Sequence, residues 1–294
     1  MTDADQALLR SFTRTLRNAN RSQRTIDSYL ESARLLADFR PGTDLETMTR
    51  DDLEAFMADQ LARHKPTTAA VRYRALRRLF NWCVDEEIID VSPMAKMTQP
   101  HVPEPSTPVL TEAELGRLLK VTTGKGFEQR RDHAIIRLFL DSGIRAGEMA
   151  GLMVDDLDLD VHDVAHVMGK GSRGRAVPFG TKTGTALDRY LRDRAKHPKA
   201  KLPHLWLAQK GGMTDSGIRQ MLERRGAQAG VDGLHPHTFR HTFAHMWRTG
   251  GGDDDSLMRL TGWRTRAVLH RYGASAADQR AIEAHRKHSP GDRL

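Results

Sequence analysis

The chain has 294 residues, 38% of them hydrophobic, and a mean hydropathy of −0.57, which describes a water-soluble globular protein long enough for two domains. No apolar stretch approaches a membrane span, and the opening MTDADQALLRSF lacks the basic segment and apolar run of a secretory signal, so a cytoplasmic location is expected. The formal net charge of +8 and sequence pI of about 9.8 favour a polyanionic partner, while the single cysteine, Cys83, excludes an internal disulfide and any multi-cysteine metal site. Cys83 reads as a small buried apolar residue.

In chain order, the first part reads as all helical, with helices over roughly 3–19, 23–39, 50–63 and 66–84, the third preceded by a Thr49/Asp52 capping box. Residues 1–96 hold 15 basic and 15 acidic side chains, yet Leu61 to Val84 has six basic residues and no acidic one. At helical spacing this segment turns Ala75, Leu76, Leu79, Phe80 and Cys83 one way and Arg74, Arg77, Arg78 and Asn81 the other. One face packs. The other, with Arg72, is suited to meeting phosphates, although a merely solvated basic face has the same pattern.

Residues 97–108 read MTQPHVPEPSTP, whose prolines at 100, 103, 105 and 108 favour an extended linker between domains at 1–96 and 109–294. The second part carries 31 basic against 23 acidic residues when counted from position 97. It opens on a Thr111/Glu114 capping box and a helix to about residue 120, followed by a helix at 130–142. The alternating segments Val164 to Met168 and Arg175 to Phe179 flank the turn GKGSRG and predict a β-hairpin. Helices are predicted again at 183–196, 214–229, 236–249 and 256–260, with a short tail helix at 276–286. The expected fold class is mainly α: an N-terminal helical domain and a mostly helical second domain with a small antiparallel sheet.

Chemistry first suggests itself in the helix at 236–249. Phe239, Phe243, Met246 and Trp247 form a stripe expected in the core, with His237, Arg240, His241, Ala244 and Arg248 on the opposite side. A histidine and an arginine three residues apart near a helix N-terminus are suited to holding a phosphate through imidazole, guanidinium and free backbone amides. The spacing of His237, His241 and His245 also permits two zinc ligands, but no HExxH glutamate or cysteine accompanies them.

Four further segments follow one another around this one: SGIRAGEMAGL (142–152), MGKGSRGRAVP (168–178), LTGW (260–263) and VLHRYGAS (268–275). In order and spacing they resemble the tyrosine recombinase, or phage integrase, family. That pattern has an arginine in a Gly-hydrophobic-Arg turn with Glu three residues later, a lysine in a hairpin, His-x-x-Arg, a histidine or tryptophan after glycine, and a tyrosine nine residues on. The likeness covers most of 110–275 and, more loosely, the helical domain.

The resemblance implies a site-specific recombinase whose N-terminal domain binds core DNA and whose second domain is catalytic. Arg145 and Arg240 are then the pair gripping the scissile phosphate, with Glu148 orienting Arg145. Tyr272 attacks phosphorus, leaving a 3′-phosphotyrosyl link, and His237 serves as acid/base for a phenol whose ordinary pKa is near 10. Lys170 protonates the leaving 5′-oxygen, with Arg173 as a less favoured substitute. Trp263 stands where many members have histidine; it donates a hydrogen bond and packs but transfers no proton. No metal, ATP or other cofactor is implied. The expected partners are double-stranded DNA, a homotetramer on paired sites joined through the C-terminal tail, and an accessory directionality factor, with the protein on the nucleoid when DNA-bound. Rival readings are a type IB topoisomerase, a chromosome-dimer resolvase, a DNA-binding protein without catalysis, and a metal-dependent nuclease using the histidine face.

Overall fold

A computed structural model describes residues 1–103, 108–169, 173–266 and the single positions 269, 282, 285, 286 and 289, with backbone alone at 173. Among the described residues no helix is long and apolar enough to cross a membrane. The chain divides into two compact units, Met1–Pro105 and Ser106–Leu294.

The first unit is built from α1 (Asp3–Asn18), α2 (Gln23–Phe39), α3 (Arg50–Arg63) and α4 (Pro66–Asp85). Each begins where the sequence supplies a start signal. Thr2 and Asp5 form a capping box on α1, Ser22 caps α2, Thr49 and Asp52 form the expected box on α3, and Pro66 occupies the first turn of α4. These helices enclose Phe12, Leu36, Phe56, Leu76, Phe80 and Trp82, with the Phe12 and Trp82 rings 5.0 Å apart. The apolar face of α4 is the one expected from its period, and Tyr73 joins it, donating its hydroxyl to the Met97 carbonyl at 2.6 Å. Cys83 is fully buried in this core, which pushes its thiol up to about 12.

The second unit contains α5 (Glu112–Val121), α6 (Phe127–Ser142), α7 (Ala146–Gly151), α8 (Thr181–Arg194), α9 (Asp215–Ala229), α10 (Pro236–Thr249) and α11 (Asp254–Thr261). A 3₁₀ turn at Val154–Asp156 leads into β1 (Leu157–Asp158), which pairs with β2 (Val164–Gly169) and through it with β3 (Arg173–Pro178) in an antiparallel sheet ordered β1-β2-β3. The predicted hairpin is β2–β3, registered from Val164 opposite Pro178 to Gly169 opposite Arg173. A second sheet of β4 (Leu207–Ala208) and β5 (Gly211–Gly212) was not anticipated, being only two residues a side. The core joins Phe139 of α6, Val167 and Val177 of the hairpin, Leu187 of α8, Leu222 of α9 and Phe239 of α10, the Phe139 and Phe239 rings stacking at 5.5 Å.

The stripe expected on α10 holds at Phe239 and Phe243 but fails at Met246, which is 44% exposed. The cause is the length of α6. That helix ends at Gly143, where an added Cβ would lie 2.7 Å from the Phe243 ring, so the next turn of α10 has no α6 residue to pack on. The other side of α10 is solvent-facing only at its start: His237 is exposed, whereas Arg240, His241, Ala244 and Arg248 are all buried.

Candidate active site

Gly143 is the first requirement of the site. It caps α6 in the left-handed region at φ +55°, which favours glycine, and its approach to Phe243 leaves no room for a side chain. Its carbonyl accepts a 2.6 Å hydrogen bond from Arg240 Nη1, while Nη2 of the same guanidinium donates to the carbonyl of Thr261 at 2.7 Å. Both acceptors lie at helix C-termini, of α6 and α11, where partial negative charge suits a cation. Arg240 also lies over the Trp263 ring, its Cζ 5.0 Å from the centroid. It is only 2% exposed, so one side chain ties together the loop before Arg145, helix α10 and the turn before Trp263.

Arg145 precedes α7 and is held by Glu148, whose carboxylate accepts its backbone N–H at 3.0 Å and its Nη1 at 2.9 Å. This is the backward half of a capping box, with the carboxylate satisfying an N–H at the helix start. Glu148 receives a second guanidinium as well. Arg175, on β3, donates Nη1 and Nη2 to the two carboxylate oxygens at 3.0 and 2.8 Å and its Nε to the Leu260 carbonyl at 2.9 Å. Burial pushes the Glu148 carboxyl up, but hydrogen bonds from Arg175 and Arg145 and the charges of both outweigh it and bring the pKa down to about 2. Glu148 is therefore a carboxylate at any working pH.

A cleft of about 450 Å³ is lined by Arg145, Glu148, Gly169, Arg219, His237 and Arg240, among others. His237 sits in the first turn of α10, after the N-cap His235, whose Nδ1 accepts the Thr238 N–H at 3.2 Å. Its pKa is lowered, first by burial and then by the charges of His235, Arg240, Arg219 and Arg145. The imidazole is neutral at pH 7 and able to accept a proton.

Arg219 was missed by the sequence reading. It lies on α9 in an i,i+4 pair with Asp215 at 3.2 Å, and no local pattern says that this helix faces the cleft. Arg175 was missed too, although a signal existed: it alternates with buried Val177 on β3 and stands opposite buried Val167, a place where a charge must have a partner.

Trp263 is buried with Phe243, Ala244, Leu257 and Leu269. Arg74 and Arg77 are exposed on α4, whereas Arg72 donates to Gln60 Oε1 and Arg78 lies 3.8 Å from Asp85. Arg173 pairs through its backbone with Gly169, and its side chain lies outside the described residues, as do Lys170, Tyr272 and the tail helix expected at 276–286 apart from Ile282, His285 and Arg286, which are helical. His237, His241 and His245 do not form a metal cluster with other ligands among the described residues.

Residues 108–279 match the family model described as phage integrase family, and residues 8–90 match that of a phage integrase N-terminal SAM-like domain. The chain belongs to the phage integrase family. Among curated relatives, this integrase is 31% identical over 219 residues to the tyrosine recombinase XerC of Thermodesulfovibrio yellowstonii, covering 71% of this chain and 72% of that one. It is 29% identical to XerC of Corynebacterium efficiens, covering 92% and 86%. Among solved structures it resembles the XerH recombinase bound to palindromic difH substrate, at a TM-score of 0.75 and 19% identity over 94% of this chain and 83% of that one. It also resembles the Tn1549 transposon integrase in complex with transposon right end DNA, at a TM-score of 0.77 and 18% identity over 94% and 98%. The integrase is a tyrosine-type site-specific recombinase and binds DNA.

Proposed function

We propose that this integrase cleaves and rejoins duplex DNA through Tyr272, with Arg145 and Arg240 holding the scissile phosphate, His237 exchanging the phenolic proton and Lys170 protonating the leaving 5′-oxygen. The observation that carries this reading is the convergence of Arg145 with His237 and Arg240 on one cleft from two separate motif segments, with Met168 and Gly169 of a third lining it too. Two guanidiniums present planar donors to a phosphate whose charge grows as the phosphorane forms. The neutral imidazole beside them supplies a proton acceptor, which a phenol of ordinary pKa near 10 requires at neutral pH.

Attack by the Tyr272 oxygen forms one P–O bond as the bond to the DNA 5′-oxygen breaks. The 3′-phosphotyrosyl ester conserves the energy of the broken linkage, so rejoining needs neither ATP nor a metal ion. Trp263 packs under the Arg240 guanidinium and holds it in place; proton transfer is left to His237 and Lys170.

The division at 1–96, 97–108 and 109–294 belongs to the same reading, with Arg74 and Arg77 of α4, joined by Arg72, Arg78 and Arg173, meeting DNA outside the cut. So does assembly of four copies on paired sites through the C-terminal tail, for which the lambda integrase tetramer bound to a Holliday junction is the structural precedent at a TM-score of 0.70 and 15% identity. An accessory directionality factor and a nucleoid location when DNA-bound complete it. A nicked suicide DNA substrate tests the core claim. A covalent protein–DNA adduct that survives EDTA and disappears in Tyr272→Phe is the expected result, and an adduct that persists in that variant overturns the assignment of the nucleophile.

A further inference from the structure

The second unit has another electropositive cavity, of about 550 Å³, between α6, α8 and the loop at 122–125. Its cations are Lys125, Arg130, Arg137, Lys182 and Arg189. Arg130 is balanced by Asp193 at 3.0 Å, but among the described residues no carboxylate lies within ion-pair distance of the other four. An ordinary solvated helix face mixes both signs of charge, whereas here four uncompensated cations surround one concavity.

Arg137 is also pre-aimed. Its Nε donates to His133 Nε2 at 2.8 Å, so His133 accepts on that nitrogen and its Nδ1–H points to Thr122 Oγ1, 2.9 Å away. The imidazole is neutral: burial comes first in lowering its pKa, and the Arg137 charge follows. A neutral acceptor orients the guanidinium without cancelling its charge, which leaves the Nη donors available. This half-buried arginine is the kind of donor that binds a phosphate oxygen bidentately.

We infer that the α6–α8 cavity is a second phosphate-binding site, taking backbone phosphates of the DNA bound by the recombinase, apart from the phosphate held between Arg145 and Arg240. Helix α6 runs from one to the other: Arg137 lies on it, and its C-cap Gly143 accepts from Arg240. Arg137 precedes Gly143 by six residues, roughly 9 Å along a helix rising 1.5 Å per residue, which lies within the reach of one bound duplex. The cavity exceeds a lone phosphate and suits consecutive phosphodiesters, and its cations repel one another until anions enter. The inference rests on DNA binding but not on Tyr272.

The test uses the full chain with a mixed-sequence duplex and, separately, with pyrophosphate. Arg137→Gln and Arg189→Gln should each make the plot of log affinity against log salt shallower by about 0.9, the contribution of one phosphate contact, while Arg137→Lys retains most of the slope. Lys201→Gln, an exposed lysine outside the cavity, removes the same charge and should leave the slope in place. Equal slopes in all variants, or an equal loss in Lys201→Gln, overturns the proposal. Loss of pyrophosphate-induced thermal stabilisation with an unaltered DNA slope also overturns it, assigning the cavity to free phosphates. Matching melting temperatures without ligand exclude misfolding. Adduct formation on the suicide substrate at saturating protein should persist in the cavity variants, so failure here is distinguishable from failure of the recombinase reading.

Discussion

Glu148 and Arg175 form a two-pronged ion pair at 3.0 and 2.8 Å, with the glutamate only 6% exposed and the arginine 14%. The pair fastens β3, the strand that follows Lys170, to the start of α7, where Arg145 stands, and through the Leu260 carbonyl to the turn that ends in Trp263. Losing Arg175 leaves the buried Glu148 with Arg145 as its remaining cation, so the cost is a part of the about 3–5 kcal/mol of a fully orphaned buried charge. Arg175→Gln should therefore lower the unfolding free energy, by less than about 3 kcal/mol, in denaturant titrations. An unchanged denaturation midpoint would show that the pair carries no stability.

The same carboxylate sets an acid limit. Its pKa falls from 4.5 to about 2 on folding, so its stabilisation is complete above the unfolded value and is lost as pH drops through the folded one. Thermal unfolding followed from pH 5 to pH 2 should show a steeper fall for the native chain than for Glu148→Gln, by about 3 kcal/mol over the window. Parallel curves would remove Glu148 as the cause.

His237 titrates below its ordinary value because of burial and the surrounding cations. An NMR titration of the DNA-free protein should place its midpoint below 6.5, and binding of a phosphate-bearing duplex should raise it by supplying negative charge. A midpoint at or above 6.5 without DNA would contradict the cation-lined cleft.

Arg145 and Arg240 should separate under conservative substitution. Arg145 is 42% exposed and Arg240 2%. Arg145→Lys should reduce single-turnover cleavage by about 100- to 1000-fold with little change in melting temperature. Arg240→Lys should lose cleavage and also stability, because a lysine cannot satisfy two carbonyls with planar fork geometry.

Arg219 borders the same cleft with a side chain 46% exposed. Arg219→Gln should weaken DNA binding and reduce the salt slope by about 1 if its contact is a phosphate. Unaltered affinity at low salt would confine Arg219 to its pair with Asp215.

The helices of both units were legible because their starts are chemically marked: Thr49 with Asp52, Thr111 with Glu114, and prolines in the first turns of α4 and α10. The β2–β3 hairpin followed from alternation around a glycine-rich turn. What local pattern does not carry is which surfaces meet. Met246 has the right period for burial, yet α6 ends before reaching it. Arg219 looks like any helix cation until α9 is packed against α7 and brings it to the cleft. His237 and Arg240 share a helix turn, but the burial of Arg240 depends on carbonyls 97 and 21 residues away in sequence.

The seating of Arg240 has a consequence for how such a protein changes over generations. Its guanidinium closes the C-terminal ends of α6 and α11 while lining the cleft, so a substitution there removes architecture together with the phosphate grip proposed for it. Descendants that drift toward silent DNA occupancy, folded but unable to cut, will arise more readily through the solvent-reaching Arg145 than through Arg240.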